Sequence, residues 1–164
     1  MNIEEAQNRL QTHWASIPTL PYSPTFEGCL DDIQCLDYLH FEGIPYVNGD
    51  DETDVVGTFW GHVYSQLTGL VWATDEEIGL PFLAAPEEQC EGFRLYPTIR
   101  VREAIGRSVP QFGKLAWALS AALFEFTQQC INAEEVIERA VQSAIQKEND
   151  YISAVRAAES EIRQ

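Results

Sequence analysis

The chain has 164 residues, of which 45% are hydrophobic and 11% aromatic, a composition that favours one folded domain and excludes a disordered chain. Its formal net charge of −16 argues against binding to DNA or RNA, because phosphates repel a strongly acidic protein. Apolar runs are too short for a membrane span and the first residues do not resemble a secretory leader, so we expect a cytoplasmic protein without a membrane segment.

Two amphipathic helices are predicted at the start of the chain. Asn2 and Glu5 have the spacing of a capping box, and the helix that they begin ends before Pro18. The segment IPTLPYSP predicts an extended connector, since proline cannot continue a helix. A second helix then extends from about Phe26 to about His40, and the polar loop FEGIPYVNGDDETD follows it.

The stretch VVGTFWGHVYSQLTGLVW, residues 55–72, begins with the helical periodicity of a third helix, which ends at Gly69. Asp54 or a nearby acid caps its start, Gly69 fits its C-terminal end, and His62 lies on its polar face, where exposure is expected. Gly57 and Gly61 are in line on one side, although glycine costs about 0.5–1 kcal/mol relative to alanine in a helix. We interpret this pair as a packing device that lets another backbone approach closely. The predicted apolar stripe consists of Val56, Phe59, Trp60, Val63 and Leu67.

Three short strands and a basic helix are predicted next. The segments LVWA and LPFLAA flank TDEEIG, which suits a hairpin turn, and EGFRLYP has the alternation of a third strand. The residues from Thr98 to Arg107 then predict a short helix. Four arginines could neutralise part of the acidic clusters internally: Arg94, Arg100, Arg102 and Arg107.

Two long helices are predicted from about Pro110 onward. The last begins with the capping box of Asn132 and Glu135 and contains no glycine or proline from Ala133 to about Ile162. Its expected antiparallel partner is the preceding helix. The last helix would be roughly 45 Å long, which exceeds the diameter of about 40 Å of a compact domain of this size. Either its end frays or its stripe packs against a second copy, and we favour the homodimer. The stripe consists of Ile137, Val141, Ala144, Glu148, Tyr151, Val155, Ala158 and Ile162.

These elements predict an α+β fold, in which helices surround a small antiparallel sheet of about three strands and the chain ends in a C-terminal antiparallel helical hairpin. We expect a single domain over residues 1–164. Within it, residues 1–50 form a helical N-terminal extension, residues 51–107 form a core of helix, hairpin and strand, and residues 108–164 form the helical hairpin.

Four segments between Gly57 and about Leu115 have the order and spacing of a bacterial family. They are GTFWGHVYSQL, a glycine-containing helix; GLVW, a strand start; DEEIG, an acidic turn; and YPTIRVREAIGR, an aromatic-proline step into a basic helix. In this region, about a third of its length, the chain resembles a bacterial domain-of-unknown-function family and is similar to immunity-type proteins of toxin systems. The resemblance implies a small α+β domain and no catalytic residue.

No motif for metal or cofactor binding is complete. Four residues have the spacing of the first ligands of a calcium loop: Asn48, Asp50, Glu52 and Asp54. Thr53 stands where that loop needs glycine and Phe59 where it needs a bidentate glutamate, so a solvated acidic loop is the better interpretation. The three histidines lack zinc spacing, and the four scattered cysteines predict buried thiols rather than disulfides. We therefore expect no metal, no cofactor and no catalytic residue.

The negative charge is concentrated in the first part of the chain. Residues 1–91 contain 17 acidic residues and one basic residue, whereas residues 92–164 contain nine of each. We predict a non-catalytic protein-binding module that uses acidic loops to bind a basic protein, as an immunity or antitoxin-like neutraliser of a basic effector would. A small hydrolase-like enzyme using loop carboxylates and a homo-oligomeric structural module are the alternatives. The predicted binding residues are Asp50, Asp51, Glu52, Asp54, Asp75, Glu76, Glu77, Glu87, Glu88 and Glu91.

Overall fold

The fold is α+β, as predicted. The computed structural model describes residues 1–17, 24, 26–41, 50–85, 92–106, 113–130 and 133–163. In these ranges the elements are α1 (Ile3–Ala15), α2 (Asp32–Phe41), α3 (Asp50–Thr68), β1 (Val71–Asp75), β2 (Leu80–Ala84), β3 (Arg94–Leu95), α4 (Pro97–Gly106), α5 (Lys114–Gln129) and α6 (Ala133–Ile162).

Helix α3 is the centre of the core. All five residues of its predicted stripe are buried, and so are Val55 and Tyr64. Two polar atoms of its aromatic side chains donate to backbone oxygens of α5: Trp60 Nε1 to Leu115 at 3.1 Å and the Tyr64 hydroxyl to Ala122 at 2.7 Å. These bonds satisfy buried donors that would otherwise destabilise the core. They also fix α5 against α3.

The two glycines of α3 permit the close approach that the sequence predicts. A Cβ atom at Gly57 would lie 2.7 Å from the backbone Cα of Thr98, and one at Gly61 would lie 2.5 Å from the ring of Trp72 and 2.6 Å from that of Pro97. None of these three distances is compatible with a side chain unless a neighbour moves. The predicted close approach of another backbone is therefore confirmed at Gly57, where α4 begins, whereas the near neighbours of Gly61 are the rings of Trp72 and Pro97 rather than backbone atoms.

The sheet has the order β1-β2-β3, with both pairs antiparallel. Trp72 faces Leu83 across the first pair, and Leu83 faces Leu95 across the second. The predicted hairpin between the first two strands is confirmed. The third strand is shorter than EGFRLYP suggests, because only two of its residues pair with β2.

The first two helices differ in how well the sequence predicts their starts. At α1 the Asn2 side chain accepts from the Glu5 N–H at 2.8 Å, which confirms the predicted cap. Helix α2 begins at Asp32, later than predicted, and the Asp32 carboxylate accepts from the N–H groups of Gly28 and Cys29. An aspartate that binds backbone N–H groups before a helix fixes a turn there.

Helix α6 is one continuous helix of the predicted length. Its first turns pack against the core through Ile137, Ala140 and Val141. All described side chains from residue 142 to residue 163 are exposed. An antiparallel hairpin of α5 and α6 therefore stays a prediction, and the capping box at Asn132 lies outside the described residues.

Candidate acidic interaction surface

The turn between β1 and β2 is held by the carboxylate of Asp75. Its Oδ1 accepts from the N–H groups of Glu77 at 3.0 Å and Ile78 at 3.4 Å. Its Oδ2 accepts from the Tyr96 hydroxyl at 2.8 Å. Asp75 is one of the predicted binding residues, but both of its oxygens are engaged by neighbours in its own chain, so it shapes the turn.

Aromatic and basic side chains complete this support on the outer face of the sheet. The Arg94 guanidinium lies 3.8 Å from Asp75 Oδ2 and 4.7 Å from the centre of the Phe82 ring, a cation–π geometry. Phe82 in turn contacts Tyr96. The hydrogen bond from Tyr96, the backbone donors and the charge of Arg94 together lower the pKa of Asp75. The carboxylate is therefore ionised at neutral pH and holds a rigid turn.

The next three residues of this turn point into solvent. Glu76 and Glu77 are exposed, and Ile78 has 55% of its surface exposed. On the adjacent strand β1, Val71 is 58% and Trp72 39% exposed. Ile78 thus lies beside two acidic side chains at the tip of the hairpin, a combination found where apolar residues and charges meet in a protein interface. Val71 lies at the far end of β1, and Trp72 is on the opposite face of that strand, with its ring against Gly61.

The ring of Trp72, in β1, lies against Gly61 in the middle of α3, where the ring of Pro97 also lies. β3 has the same direction as β1, since both are antiparallel to β2.

The other predicted acidic clusters are only partly described. The residues Asp50, Asp51, Glu52 and Asp54 belong to the first two turns of α3, so the prediction of a solvated loop that ends in a cap at Asp54 is wrong there. Acidic side chains at this position are favoured by the helix dipole. Asp54 is half-buried, and the side chains of the other three are outside the described part. The third cluster, Glu87, Glu88 and Glu91, also lies outside the described residues.

Two buried acidic residues were not singled out by the sequence. Asp32 and Asp37 are both buried, and burial raises the pKa of each carboxyl group while hydrogen bonds from backbone N–H groups oppose that shift. Perturbed carboxyl groups often mark catalytic sites. Here each one holds the start of a helix, which is a structural task.

Two of the four arginines expected to neutralise the acidic clusters form ion pairs within the chain, but only the partner of Arg94 belongs to one of those clusters. Arg94 pairs with Asp75, and Arg100 of α4 pairs with Glu125 of α5. Neither of these two ion pairs involves Glu76 or Glu77, whose side chains are exposed.

His62 is not the exposed residue that its polar helix face suggests. It is half-buried, and its ring lies against Gly28, where an added Cβ would be 2.5 Å from it. Desolvation lowers the pKa of His62, while a hydrogen bond with the backbone of Glu27 and the charge of Asp32 oppose that shift. This side chain joins α3 to the segment before α2.

The cysteines only partly follow the prediction of buried thiols. Cys35 is a buried thiol, whereas Cys29 is an exposed thiol. Cys130 is disulfide-bonded, so the prediction is wrong for that residue. Its bonding partner lies outside the described residues.

Among the described residues, no three histidine, cysteine or acidic side chains come together in a group that could hold a metal ion. Within the same ranges, none of the helices has the length and apolar character needed to cross a membrane. No family model matches the chain, and neither a curated protein nor a solved structure matches it. The resemblance to immunity-type proteins therefore stays a prediction.

Proposed function

We propose that this protein is a non-catalytic binding module whose β1–β2 hairpin engages a basic protein partner. The observation that carries the proposal is the exposed pair Glu76 and Glu77, held by a turn that Asp75 and Tyr96 fix in place. A binding loop that is already rigid loses little conformational entropy on association. A neutraliser of a basic effector, of the immunity or antitoxin type, is the role that this surface suits best.

The exposed apolar residue next to these charges supports a protein as the partner. Ile78, with 55% of its surface exposed, would provide apolar contact beside Glu76 and Glu77. The acidic side chains would accelerate encounter with a cationic surface and select against acidic ones. The alternative of an enzyme that uses loop carboxylates gains no comparable support from the described residues.

The experiment measures the association rate with a defined basic protein. The first candidate is the basic product of a gene adjacent to that of this chain, and cytochrome c serves as a control for general attraction to positive charge. The variant Glu76→Lys/Glu77→Lys removes the exposed acids and leaves Asp75 to hold the turn. We expect its association rate constant with the specific partner to fall about tenfold at low salt, and the wild-type rate to fall steeply as salt is added.

A matched control makes the same change of charge elsewhere. Glu134→Lys/Glu138→Lys replaces two exposed acids on α6, and we expect it to bind at nearly the wild-type rate. If the association rate constants of both double variants fall by the same factor, net charge alone governs the association and the hairpin is not the binding site. A rate independent of salt would also contradict the proposal.

A cytoplasmic location is part of the proposal and can be tested through the cysteines. The chain has four cysteines, and the disulfide at Cys130 is of a kind rarely kept in a reducing compartment. If the location is cytoplasmic, the disulfide at Cys130 forms only after lysis, and unfolded protein from cells lysed with a thiol-blocking reagent shows four blocked thiols. A count of two would instead indicate an oxidising compartment.

A further inference from the structure

Strand β1 lies at one edge of the sheet, and its side facing away from β2 is an open edge. The strand order is β1-β2-β3, and in the part of the chain that the structure describes no other strand pairs with β1. The first four residues of the strand, 71–74, are all exposed. An open edge presents backbone N–H and C=O groups that another extended chain can bind.

The register of the hairpin shows which backbone groups face the open edge. Thr74 lies opposite Pro81, and proline has no N–H, so these two residues cannot exchange the two bonds of a hydrogen-bonded pair. Hydrogen-bonded and non-hydrogen-bonded pairs alternate along an antiparallel ladder. The N–H and C=O groups of Thr74 and Trp72 therefore point away from β2, whereas those of Ala73 point toward β2.

The other edge of the sheet is protected against further pairing. β3 has only two residues, and α4 begins with Pro97 two positions later. Short edge strands and proline are devices by which proteins prevent the addition of another strand. β1 has neither device, since its five residues, VWATD, contain no proline and no lysine. Valine, tryptophan and threonine also favour strands. An added strand would therefore bind at β1.

The charge beside the open edge indicates a basic occupant. Asp75 is the last residue of β1, and the exposed side chains of Glu76 and Glu77 follow it directly. A segment that pairs along β1 reaches this acidic turn at one of its ends, where lysine or arginine side chains meet the two exposed carboxylates. A second copy of the chain is a poorer occupant, because each copy has a net charge of −16 and the two repel each other.

We propose that an extended, basic segment of the partner protein binds to the open edge of β1 as a fourth strand of the sheet. The backbone groups of Trp72 and Thr74 provide hydrogen bonds to the segment, and Glu76 and Glu77 select positive side chains at its end. This inference rests on the proposed function, because it states in what form the basic partner binds to the hairpin.

Amide hydrogen exchange measured by NMR tests the open edge directly. The probe is a synthetic peptide, Val-Thr-Val-Thr-Val with two lysines at each end, whose centre matches the five residues of β1. In the protein alone we expect the amides of Trp72 and Thr74 to exchange rapidly and that of Ala73 slowly. With saturating peptide we expect exchange at Trp72 and Thr74 to slow about tenfold, with little change at Ala73.

Two variants of Thr74 separate the backbone from the side chain. Thr74→Pro removes an N–H that points to solvent, a position at which an edge strand tolerates proline. We expect it to raise the dissociation constant of the peptide about tenfold. The matched control Thr74→Val keeps the N–H and the branched side chain, and we expect its dissociation constant to stay within about twofold of that of the unchanged protein.

A chemical control addresses the peptide. Methylation of its five central amides keeps every charge and side chain but removes the donors, and we expect it to weaken binding about tenfold. If Thr74→Pro does not fold, this peptide and the exchange rates of the unchanged protein decide the question. Equal affinity of the two peptides would contradict strand addition.

The charge variant Glu76→Lys/Glu77→Lys separates this inference from the proposed function. If it weakens peptide binding while Thr74→Pro does not, the acidic hairpin binds basic chains without strand addition, and only this inference fails. If it leaves peptide binding unchanged, the acidic turn does not select the occupant, and the proposed function fails as well.

Two further results would overturn the inference. One is the absence of peptide binding up to about 1 mM. The other is slow exchange at Trp72 and Thr74 that increases with protein concentration and needs no peptide, because a second copy of the chain then occupies the open edge.

Discussion

Asp37 lies 78 residues before Leu115 in the chain, yet its carboxylate caps the helix that begins there. Oδ1 accepts from the N–H of Leu115 at 2.7 Å, and Oδ2 accepts from that of Ala116 at 3.0 Å. Gly113 occupies the N-cap position of α5 and has no side chain to offer. An acidic residue of α2 therefore satisfies N–H groups that the first turn of α5 leaves without an intrahelical acceptor.

Removing this cap should destabilise the protein. We expect Asp37→Ala to lower the free energy of unfolding by about 1–3 kcal/mol, because a buried N–H group and a partly buried one lose their acceptor. Asp37→Asn keeps one acceptor oxygen, so the free energy of unfolding should fall less. Urea unfolding measures both, with Asp31→Ala, an exposed acid in the turn before α2, as the control. Equal midpoints for Asp37→Ala and Asp31→Ala would show that the cap contributes nothing.

The two glycines of α3 should respond differently to alanine. At Gly57 the obstructing atom belongs to the backbone of Thr98, whereas at Gly61 the obstructing atoms are in the Trp72 and Pro97 rings. A half-exposed tryptophan ring can shift more easily than backbone. We expect Gly57→Ala to cost about 1–3 kcal/mol through overpacking, and Gly61→Ala to cost less.

The control for both glycine variants is Gly106→Ala at the end of α4. No atom lies within 4 Å of an added Cβ there, so we expect the gain in helix propensity to leave the stability unchanged or slightly raised. Thermal unfolding of the three variants gives the comparison. If Gly57→Ala is as stable as Gly106→Ala, the close approach of α4 is not tight.

The parts of this fold that could be predicted depend on neighbours in sequence. The cap at Asn2, the stripe of α3, the paired glycines and the β1–β2 hairpin all follow from spacings of two to four residues, and the structure contains them. Helical periodicity shows which side of an element is buried. It does not show which element will cover that side.

The parts that could not be predicted depend on contacts between distant residues. In the sequence, Asp75 cannot be distinguished from Glu76 and Glu77. Only the fold brings Tyr96, 21 residues later, beside its carboxylate. His62 lies on a polar face of its helix, and only the fold places Gly28 against it. A composition rich in acids therefore indicates charge correctly, but it cannot separate acids that hold the structure from acids that face solvent.

Tyr96 should control the titration of Asp75. Its hydroxyl is the largest cause of the lowered pKa of that carboxyl group, so Tyr96→Phe should raise the pKa toward its ordinary value of 3.8. Because the folded pKa is below the unfolded one, Asp75 contributes stability that is complete above the unfolded pKa and is lost as the pH falls through the folded one. We expect the variant to lose this contribution. Carboxyl-carbon NMR titration measures the shift, and an unchanged Asp75 pKa would contradict the assigned bond.

The thiols of Cys29 and Cys35 should differ in reactivity in the native protein. Cys35 is buried, and desolvation, together with the negative charges of Asp32 and Asp31, raises its pKa to about 11. Thiolate is the reactive form of cysteine, so little of Cys35 is reactive at about pH 8. Cys29 is exposed and accessible to reagent.

We therefore expect iodoacetamide to alkylate Cys29 in the native protein and to reach Cys35 only after unfolding, as peptide mass spectrometry would show. Cys35→Ser should leave the native rate of labelling unchanged, whereas Cys29→Ser should abolish the rapid phase. Comparable labelling of both residues before unfolding would mean that α2 opens readily and that Cys35 is not held in the core. Labelling of Cys35 at a rate that follows urea concentration would instead measure how firmly Asp32 and Asp37 hold this helix in place, because both flank the thiol on the same helix.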